Sequence, residues 1–276
     1  LQLREREEYS FEPADLGNIY HMVLERFAGK LAEHGKTWFN FDETEADAWL
    51  QAALLESTTS YGETILYSNA RYEYMTERIL RILRRTVRTL KTQLLGGAFV
   101  PSHFEMSFQR VEDLDAVNIA LSEHEKMKLK GRIDRIDTFE DEEHVYVKVI
   151  DYKSGNKKFD LAALYYGLQL QLVVYMNVAV EVEKRRNPGK EVVPAALLYY
   201  HVADPLVKEE KELSPEEIND RMLKELRTTG IVSAEEPVVS LLDRTLSGKS
   251  LLIPVERKKD GSFSASSTIA RIRSFS

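Results

Sequence analysis

The sequence predicts an α/β fold, with a central mixed sheet flanked by helices and a helical subdomain at the N-terminus. Three observations support this class. Apolar residues recur at helical spacing through the first third of the chain, β-branched runs follow in the middle, and helical and strand patterns then alternate. This order is typical of helices that cover a sheet. We expect a helical part at 1–98 and a sheet-bearing part at 99–276, forming one structural unit.

Three helices are predicted in the first third of the chain. Asp15 is the expected N-cap of the first helix, and Gly35 is its expected end. The buried face of this helix has apolar residues four apart, namely Ile19, Val23, Phe27 and Leu31. The other two helices are predicted at about 42–60 and 68–95.

Strand patterns dominate the middle of the chain, in the segments FVPSHFEMSFQR, KMKLKGRIDRIDTF and HVYVKVIDYKS. The acidic residues 140–143 are expected to join the last two segments as a hairpin. The segment VVPAALLYYHV is apolar throughout, which predicts a strand buried on both faces.

Apolar stripes and capping residues indicate further helices in the second half of the chain. One long helix is predicted over about 160–186, and Ser214, Pro215 and Glu217 predict the start of another. Near the C-terminus, Ser266 or Ser267 is the expected N-cap of a helix that stops after about two turns. We therefore expect the chain to be a piece of a longer polypeptide.

The amino-acid composition excludes several kinds of active site and several classes of protein. The chain has no cysteine, which excludes cysteine nucleophiles, zinc–thiolate sites and an iron–sulfur cluster held by this chain alone. No apolar run approaches the roughly 20 residues of a membrane helix, so we expect a cytoplasmic protein without a membrane partner. The net charge of -7 means that any contact with DNA must come from local basic patches.

The chemistry is predicted at the segments GRIDRID and VIDYKSG. Asp134 belongs to the first segment, and Asp151 and Lys153 to the second, where they are two residues apart and so share a face of the strand. A hairpin would bring all three side chains to one end of neighbouring strands. The two carboxylates are suitable ligands for Mg²⁺ or Mn²⁺, and the backbone carbonyl of Tyr152 is a further candidate ligand.

This group fits metal-dependent hydrolysis of a phosphate ester. A divalent cation would activate water and polarise the phosphate, and Lys153 would orient the water or neutralise developing charge. A surface salt-bridge cluster on a hairpin is the alternative for an aspartate and lysine at this spacing.

Four blocks of the sequence resemble a known family. GNIYHMVLE, GRIDRID, VIDYKSG and YYGLQLQLVVY together resemble the RecB-like nuclease branch of the PD-(D/E)xK superfamily. Within that branch the chain is most similar to the nuclease domain of AddB (RexB) subunits. The resemblance implies a restriction-endonuclease-like core and an Mg²⁺-dependent exonuclease that acts on single-stranded DNA. It also implies an AddA-like partner subunit in an ATP-dependent helicase–nuclease complex for double-strand-break repair and recombination.

The resemblance also implies roles for individual residues. His21 would reach the metal from the first helix, Asp134 and Asp151 would be acidic ligands, and Lys153 would be the catalytic lysine. Gln171 and Tyr175 would line the site, with Gln169 as the alternative glutamine. Family members carry cysteines for an iron–sulfur cluster around this domain, and this chain has none. A non-catalytic DNA-binding or scaffold module and a stand-alone RecB-like exonuclease are the remaining alternatives.

Contacts with DNA are expected beside the site, at Lys128, Lys130, Arg132 and Gln169. An arginine stripe in the third predicted helix, formed by Arg78, Arg81, Arg85 and Arg88, fits either a phosphate-binding surface or a solvated helix face. Glu105 and Glu25 are further acidic candidates, and an exposed strand position is the alternative for Glu105.

Overall fold

The structure is a computed structural model that describes residues 13–61, 70–108, 118–120, 126–128, 130–155, 159–166, 169–205 and 214–272. The helices are α1 (Pro13–Glu33), α2 (Glu43–Tyr61), α3 (Ala70–Gly96), α4 (Leu161–Tyr165), α5 (Gln171–Arg186), α6 (Pro215–Glu225) and α7 (Glu236–Leu242). The strands are β1 (Val100–Ser107), β2 (Asn118–Ala120), β3 (Lys126–Lys128), β4 (Arg132–Glu140), β5 (His144–Lys153), β6 (Glu191–His201), β7 (Thr229–Ser233) and β8 (Ile269–Ala270).

Six strands form one mixed sheet in the order β1-β4-β5-β6-β7-β8. The pairs β5–β6 and β7–β8 are parallel, and the other neighbours are antiparallel. The short strands β2 and β3 pair separately. The sheet and its helices confirm the predicted α/β class, and β6 is buried along most of its length, as its apolar sequence predicts.

Helices pack on both faces of this sheet. One apolar cluster joins α1, α2 and α3 to side chains such as Ile150 and Tyr152. The other joins α5 to Val147 and Val149 on the opposite face. Successive residues of β5 therefore point into different clusters, because side chains alternate along a strand. Among the described residues, no helix has both the length and the apolar character needed to cross a membrane.

Capping residues explain several helix ends. Gly35 has a φ of +64°, the left-handed conformation in which glycine ends a helix without strain, so the predicted end of α1 is confirmed. The start was predicted wrongly, since α1 begins at Pro13 and Asp15 lies in its first turn. Proline at the first helical position is favourable because its missing N–H has no helical partner there. Ser214 and Glu217 form the predicted capping box of α6.

The predicted single helix over about 160–186 is wrong. Asp160 caps the short helix α4, and α5 begins anew at Gln171. The sequence has Gly167 between the two helices, and glycine is a poor helix former. The break matters for function because it sets the position of the residues that enter α5.

Two further expectations are corrected. The segment KMKLKGRIDRIDTF does not form one strand, since Lys126–Lys128 pairs with β2 while β4 begins at Arg132. The C-terminal segment is not helical: Ile269–Ala270 forms β8, which pairs in parallel with Val232 and Ser233. Tertiary pairing on the sheet edge outweighs the weak local helix signal of Ser266 and Ser267 there.

Candidate active site

The candidate site lies at one end of β4 and β5. These strands are antiparallel, with Arg135 opposite Ile150. Asp134, near the start of β4, therefore adjoins Asp151, near the end of β5. The hairpin brings the two predicted carboxylates and Lys153 to the same end of the sheet, as the spacing of the two segments suggested.

A second group of side chains meets Asp134 from other elements. The His21 Nδ1 atom lies 3.0 Å from Glu105 Oε1 and 3.2 Å from Asp134 Oδ1. Among the described residues, His21, Glu105 and Asp134 form the group whose metal-ligating atoms all lie within 4.8 Å of one another. Helix α1 and strands β1 and β4 each supply one of the three side chains.

Asp134 is held by the backbone of the neighbouring strand. The Tyr152 N–H donates a 2.6 Å hydrogen bond to Asp134 Oδ2, which leaves Oδ1 directed toward His21. The Tyr152 side chain is buried in the cluster on the face of α1 to α3. The role of its carbonyl as a ligand stays a prediction.

Glu105 is buried, so the exposed-strand alternative for this residue is wrong. Its neighbours Phe104 and Met106 pair with Arg135 and Ile133, which places Glu105 opposite Asp134. Glu105 is the one described non-glycine residue with a positive φ, +47°, a strained conformation. Its second oxygen forms a 2.5 Å ion pair with Arg132 Nε. The segment HFEMSF carries no local signal of this geometry, which depends on pairing with β4.

Lys153 lies within a chain of polar contacts. Its Nζ forms a close ion pair with Asp151 and donates a 3.4 Å hydrogen bond to Gln171 Oε1. The Gln171 Nε2 atom in turn donates to Tyr175 Oη at 2.8 Å. Gln171 and Tyr175 are one turn apart on α5, so they share the helix face that reaches Lys153 through Gln171.

The carboxylates and the imidazole perturb one another. Burial and the charge of Asp134 raise the pKa of Asp151 to about 6, although Lys153 opposes the shift. Burial by itself lowers the pKa of His21, but its contacts with Asp134 and Glu105 outweigh burial and raise the pKa to about 10. Strongly perturbed groups in one cluster are typical of functional sites.

Two glycines permit close packing around the site. A Cβ on Gly17 would lie 2.8 Å from Ser154 Oγ, so glycine lets α1 approach the chain after β5, one turn before His21. A Cβ on Gly131 would lie 2.3 Å from the ring of Phe108. That ring packs edge-on against Tyr175 at 5.9 Å between centroids. These contacts explain the glycines in the GNIYH and GRID segments physically.

A buried ionic cluster lies behind the site. Arg135 makes two hydrogen bonds to Asp137, at 2.5 and 2.7 Å, and Lys148 Nζ lies 2.8 Å from the same carboxylate. Burial raises the pKa of Asp137, but the two cations outweigh burial and hold it below its usual value. A buried carboxylate is tolerated when it is paired in this way.

The residues predicted to contact DNA have different surroundings from one another. Lys130 is exposed at the entry to β4, and the Arg132 side chain is half-exposed but paired with Glu105. The Gln169 side chain accepts a hydrogen bond from the Asp160 N–H, so Gln171 is the glutamine that contacts Lys153. The side chain of Lys128 lies outside the described residues.

Most arginines of the stripe form ion pairs with acidic side chains. Arg81 and Arg85 both pair with Asp204, and Arg88 pairs with Glu43. These ion pairs favour the solvated-face interpretation, because neutralised arginines attract phosphate weakly.

The site residues fit a hard divalent cation. They offer an imidazole nitrogen and carboxylate oxygens, and oxygen-rich sites suit Mg²⁺ and Mn²⁺. The hydrogen bond from Tyr152 fixes Asp134 with Oδ1 facing the nitrogen of His21 and an oxygen of Glu105. The position of each donor atom is thus set by backbone pairing or by an ion pair.

Known proteins resemble this chain along most of its length. The family model of the PD-(D/E)XK nuclease superfamily matches residues 1–254. The chain is 39% identical over 98% of its length to the B subunit of an ATP-dependent helicase/deoxyribonuclease of Lachnoclostridium phytofermentans, of which it covers 23%. It is 36% identical over 95% of its length to the protein of the same name from Thermoanaerobacter sp. (strain X514), of which it covers 22%.

A third relative of the same name, from Clostridium tetani, is 35% identical over the whole length of this chain. The chain covers 24% of that relative. The chain therefore spans about a quarter of the length of these relatives. The matched family covers both the helical part with His21 and the strands with Asp134, Asp151 and Lys153. This chain belongs to the PD-(D/E)XK nuclease superfamily.

Proposed function

We propose that the chain is a divalent-metal-dependent deoxyribonuclease domain that hydrolyses phosphodiester bonds of single-stranded DNA as an exonuclease. The observation that carries the proposal is the convergence of His21, Glu105 and Asp134 beside the Asp151–Lys153 pair. Relatives named as helicase/deoxyribonuclease subunits support a further step, that the domain works within an ATP-dependent helicase–nuclease that has an AddA-like partner and serves DNA repair.

His21, Glu105 and Asp134 would hold Mg²⁺ or Mn²⁺, with Asp151 beside them. The cation supplies polarisation of the phosphate and activation of water when bound. Glu105, a further acidic candidate from the sequence, is a ligand in this proposal, and its strained backbone supports a role in the site, since such strain collects at functional positions.

Lys153 holds its positive charge next to the reacting phosphate in this proposal. Asp151 and Gln171 restrict the ammonium from two sides, and Tyr175 fixes the amide of Gln171. A preorganised cation stabilises negative charge that develops on the phosphate without reorganisation during the reaction. Lys153 would also orient the attacking water.

The test is cleavage of end-labelled single-stranded DNA at low salt with Mg²⁺, Mn²⁺ or EDTA. Asp151→Asn should abolish metal-dependent cleavage, and Asp220→Ala, which changes an exposed aspartate on α6, should not. Cleavage that survives Asp151→Asn, or that persists in EDTA, would show that the activity does not come from this site. Metal-dependent binding of DNA without cleavage would support a scaffold module instead.

A further inference from the structure

Exposed apolar side chains are concentrated in the segment that precedes Gln171, the residue that Lys153 contacts. Eight large hydrophobic side chains are exposed among the described residues, and three of them lie within residues 161–170. Leu161 is 53% exposed, Tyr166 is 75% exposed and Leu170 is 51% exposed. Large exposed apolar side chains that collect in one part of a protein often mark a binding surface.

A hydrogen bond links the two ends of this segment. The Asp160 N–H donates to Gln169 Oε1 at 3.3 Å, which ties the residue before Leu161 to the residue before Leu170. Asp160 also caps α4 by accepting from the N–H groups of Ala162 and Ala163. Tyr166 ends this short helix, and its N–H donates to Ala162. We call Leu161, Tyr166 and Leu170 the α4 surface.

One residue of the α4 surface, Leu170, is adjacent in the chain to a residue of the candidate active site. Leu170 immediately precedes Gln171, whose side chain accepts the hydrogen bond from Lys153. A phosphodiester beside Lys153 must carry its adjoining nucleotide over the neighbouring residues. A protein partner seated on Leu170 would lie beside Gln171, which contacts Lys153, and would compete with a bound strand there.

Unpaired bases match this surface chemically. Aromatic and apolar side chains stack on bases, whereas cations track the phosphates. Lys130, at the entry to β4, supplies an exposed cation near the same end of the sheet. Base faces in a duplex are already stacked on one another, so a stacking surface selects a single strand.

From this arrangement we propose that the α4 surface stacks the bases of the DNA strand next to the scissile phosphate, with Tyr166 as the main contact. The inference rests on the proposed function and deepens it, because it assigns the preference for single strands to named residues. The α4 surface lies outside the metal and lysine group and contributes binding of the substrate rather than chemistry.

The test compares KM for a single-stranded oligonucleotide among variants of the full chain. Tyr166→Ala should raise KM about tenfold, as expected for the loss of one stacked base, and should leave kcat unchanged. Tyr166→Trp should keep the wild-type KM because it keeps an aromatic face. Tyr74→Ala is the matched control, since Tyr74 is a 66% exposed tyrosine on α3.

An oligonucleotide with abasic residues next to the cleaved bond separates stacking from other effects. The wild-type chain should bind it about as weakly as Tyr166→Ala binds the ordinary strand, and Tyr166→Ala should bind both strands alike. Fluorescence anisotropy in EDTA gives the same comparison without cleavage. The proposal would be overturned if Tyr166→Ala kept the wild-type KM. It would also be overturned if the substitution weakened binding of the abasic strand by the same factor as binding of the ordinary strand.

Failure of the proposed function gives a different result. In that case Asp151→Asn would cleave like the wild type, whatever Tyr166→Ala does. If the α4 surface instead binds a partner protein, Tyr166→Ala would weaken that association at an unchanged KM for DNA, and the stacking proposal would be wrong.

Discussion

The backbone N–H of Tyr152 donates a 2.6 Å hydrogen bond to the Asp134 carboxylate and so joins β5 to β4 at the candidate site. The bond occupies one oxygen of Asp134 and leaves the other facing His21 and Glu105. Asp151 and Lys153 flank Tyr152 on the same strand. The pairing of two strands therefore determines both the direction of the Asp134 carboxylate and the position of Lys153.

Lys153→Ala is predicted to lower kcat for DNA cleavage by about 10²–10³-fold, the usual effect of removing one preorganised group that stabilises transition-state charge. Lys153→Arg should not restore the rate, because a planar guanidinium does not replace a compact ammonium between Asp151 and Gln171. Single-turnover cleavage measures the effect. Lys224→Ala, which changes an exposed lysine on α6, is the control.

His21→Ala is predicted to raise the Kd for Mn²⁺ at least tenfold, since even loss of a residue that only orients a ligand costs about 10–100-fold in metal affinity. Titration calorimetry without DNA measures this directly. His34→Ala is the matched control, because His34 is exposed and contacts the carbonyl of Lys30. Equal Mn²⁺ affinity in the two variants would remove His21 from the metal site.

Glu105→Gly is predicted to be more stable than Glu105→Ala by about 1 kcal/mol, because glycine adopts a positive φ without a Cβ penalty. The φ of +47° at Glu105 is the observation behind this expectation. Both variants should lose metal affinity. Urea denaturation gives the free energies of unfolding, and an Ala variant as stable as the Gly variant would show that this conformation is not strained.

Gly131→Ala is predicted to destabilise the fold by about 1–3 kcal/mol through overpacking against Phe108. Phe108→Leu removes the ring atoms that a Cβ at 131 would meet. The double variant should therefore lose less stability than the sum of the single variants. Additive losses in a thermal or urea double-mutant cycle would contradict the proposed contact.

Asp137→Asn is predicted to reduce the free energy of unfolding by about 3–5 kcal/mol, because it leaves Arg135 and Lys148 buried without a counter-charge. Breaking the exposed Arg88–Glu43 pair by Glu43→Gln should cost less than about 1 kcal/mol. Denaturant titration of the two variants compares them at one pH.

The Asp137 carboxylate should also account for part of the loss of fold stability at acid pH. The folded-state pKa of Asp137 lies below its usual value, so its stabilising effect is complete above the unfolded-state pKa, about 3.9. This stability is lost as the pH falls through the folded-state pKa. Wild-type stability should therefore drop more steeply than that of Asp137→Asn below about pH 4.

Local sequence signals were sufficient for much of the architecture. Alternation and β-branched runs predicted β1, β4 and β5, an apolar run predicted β6, and capping residues predicted the start of α6. These features depend on neighbours within a few residues, which the sequence displays. The two-residue spacing of Asp151 and Lys153 likewise fixes them to one face of β5.

The tertiary structure decided what depends on contacts between distant segments. Glu105 enters the site because β1 pairs with β4 and because the Glu105 backbone adopts a positive φ. The local sequence HFEMSF predicts neither feature. The strand at Ile269–Ala270 likewise depends on pairing with β7. Short-range propensity is weak compared with a completed sheet pairing or a buried face. The sequence by itself thus determined the fold class and the chemical groups, and long-range pairing determined which of them meet.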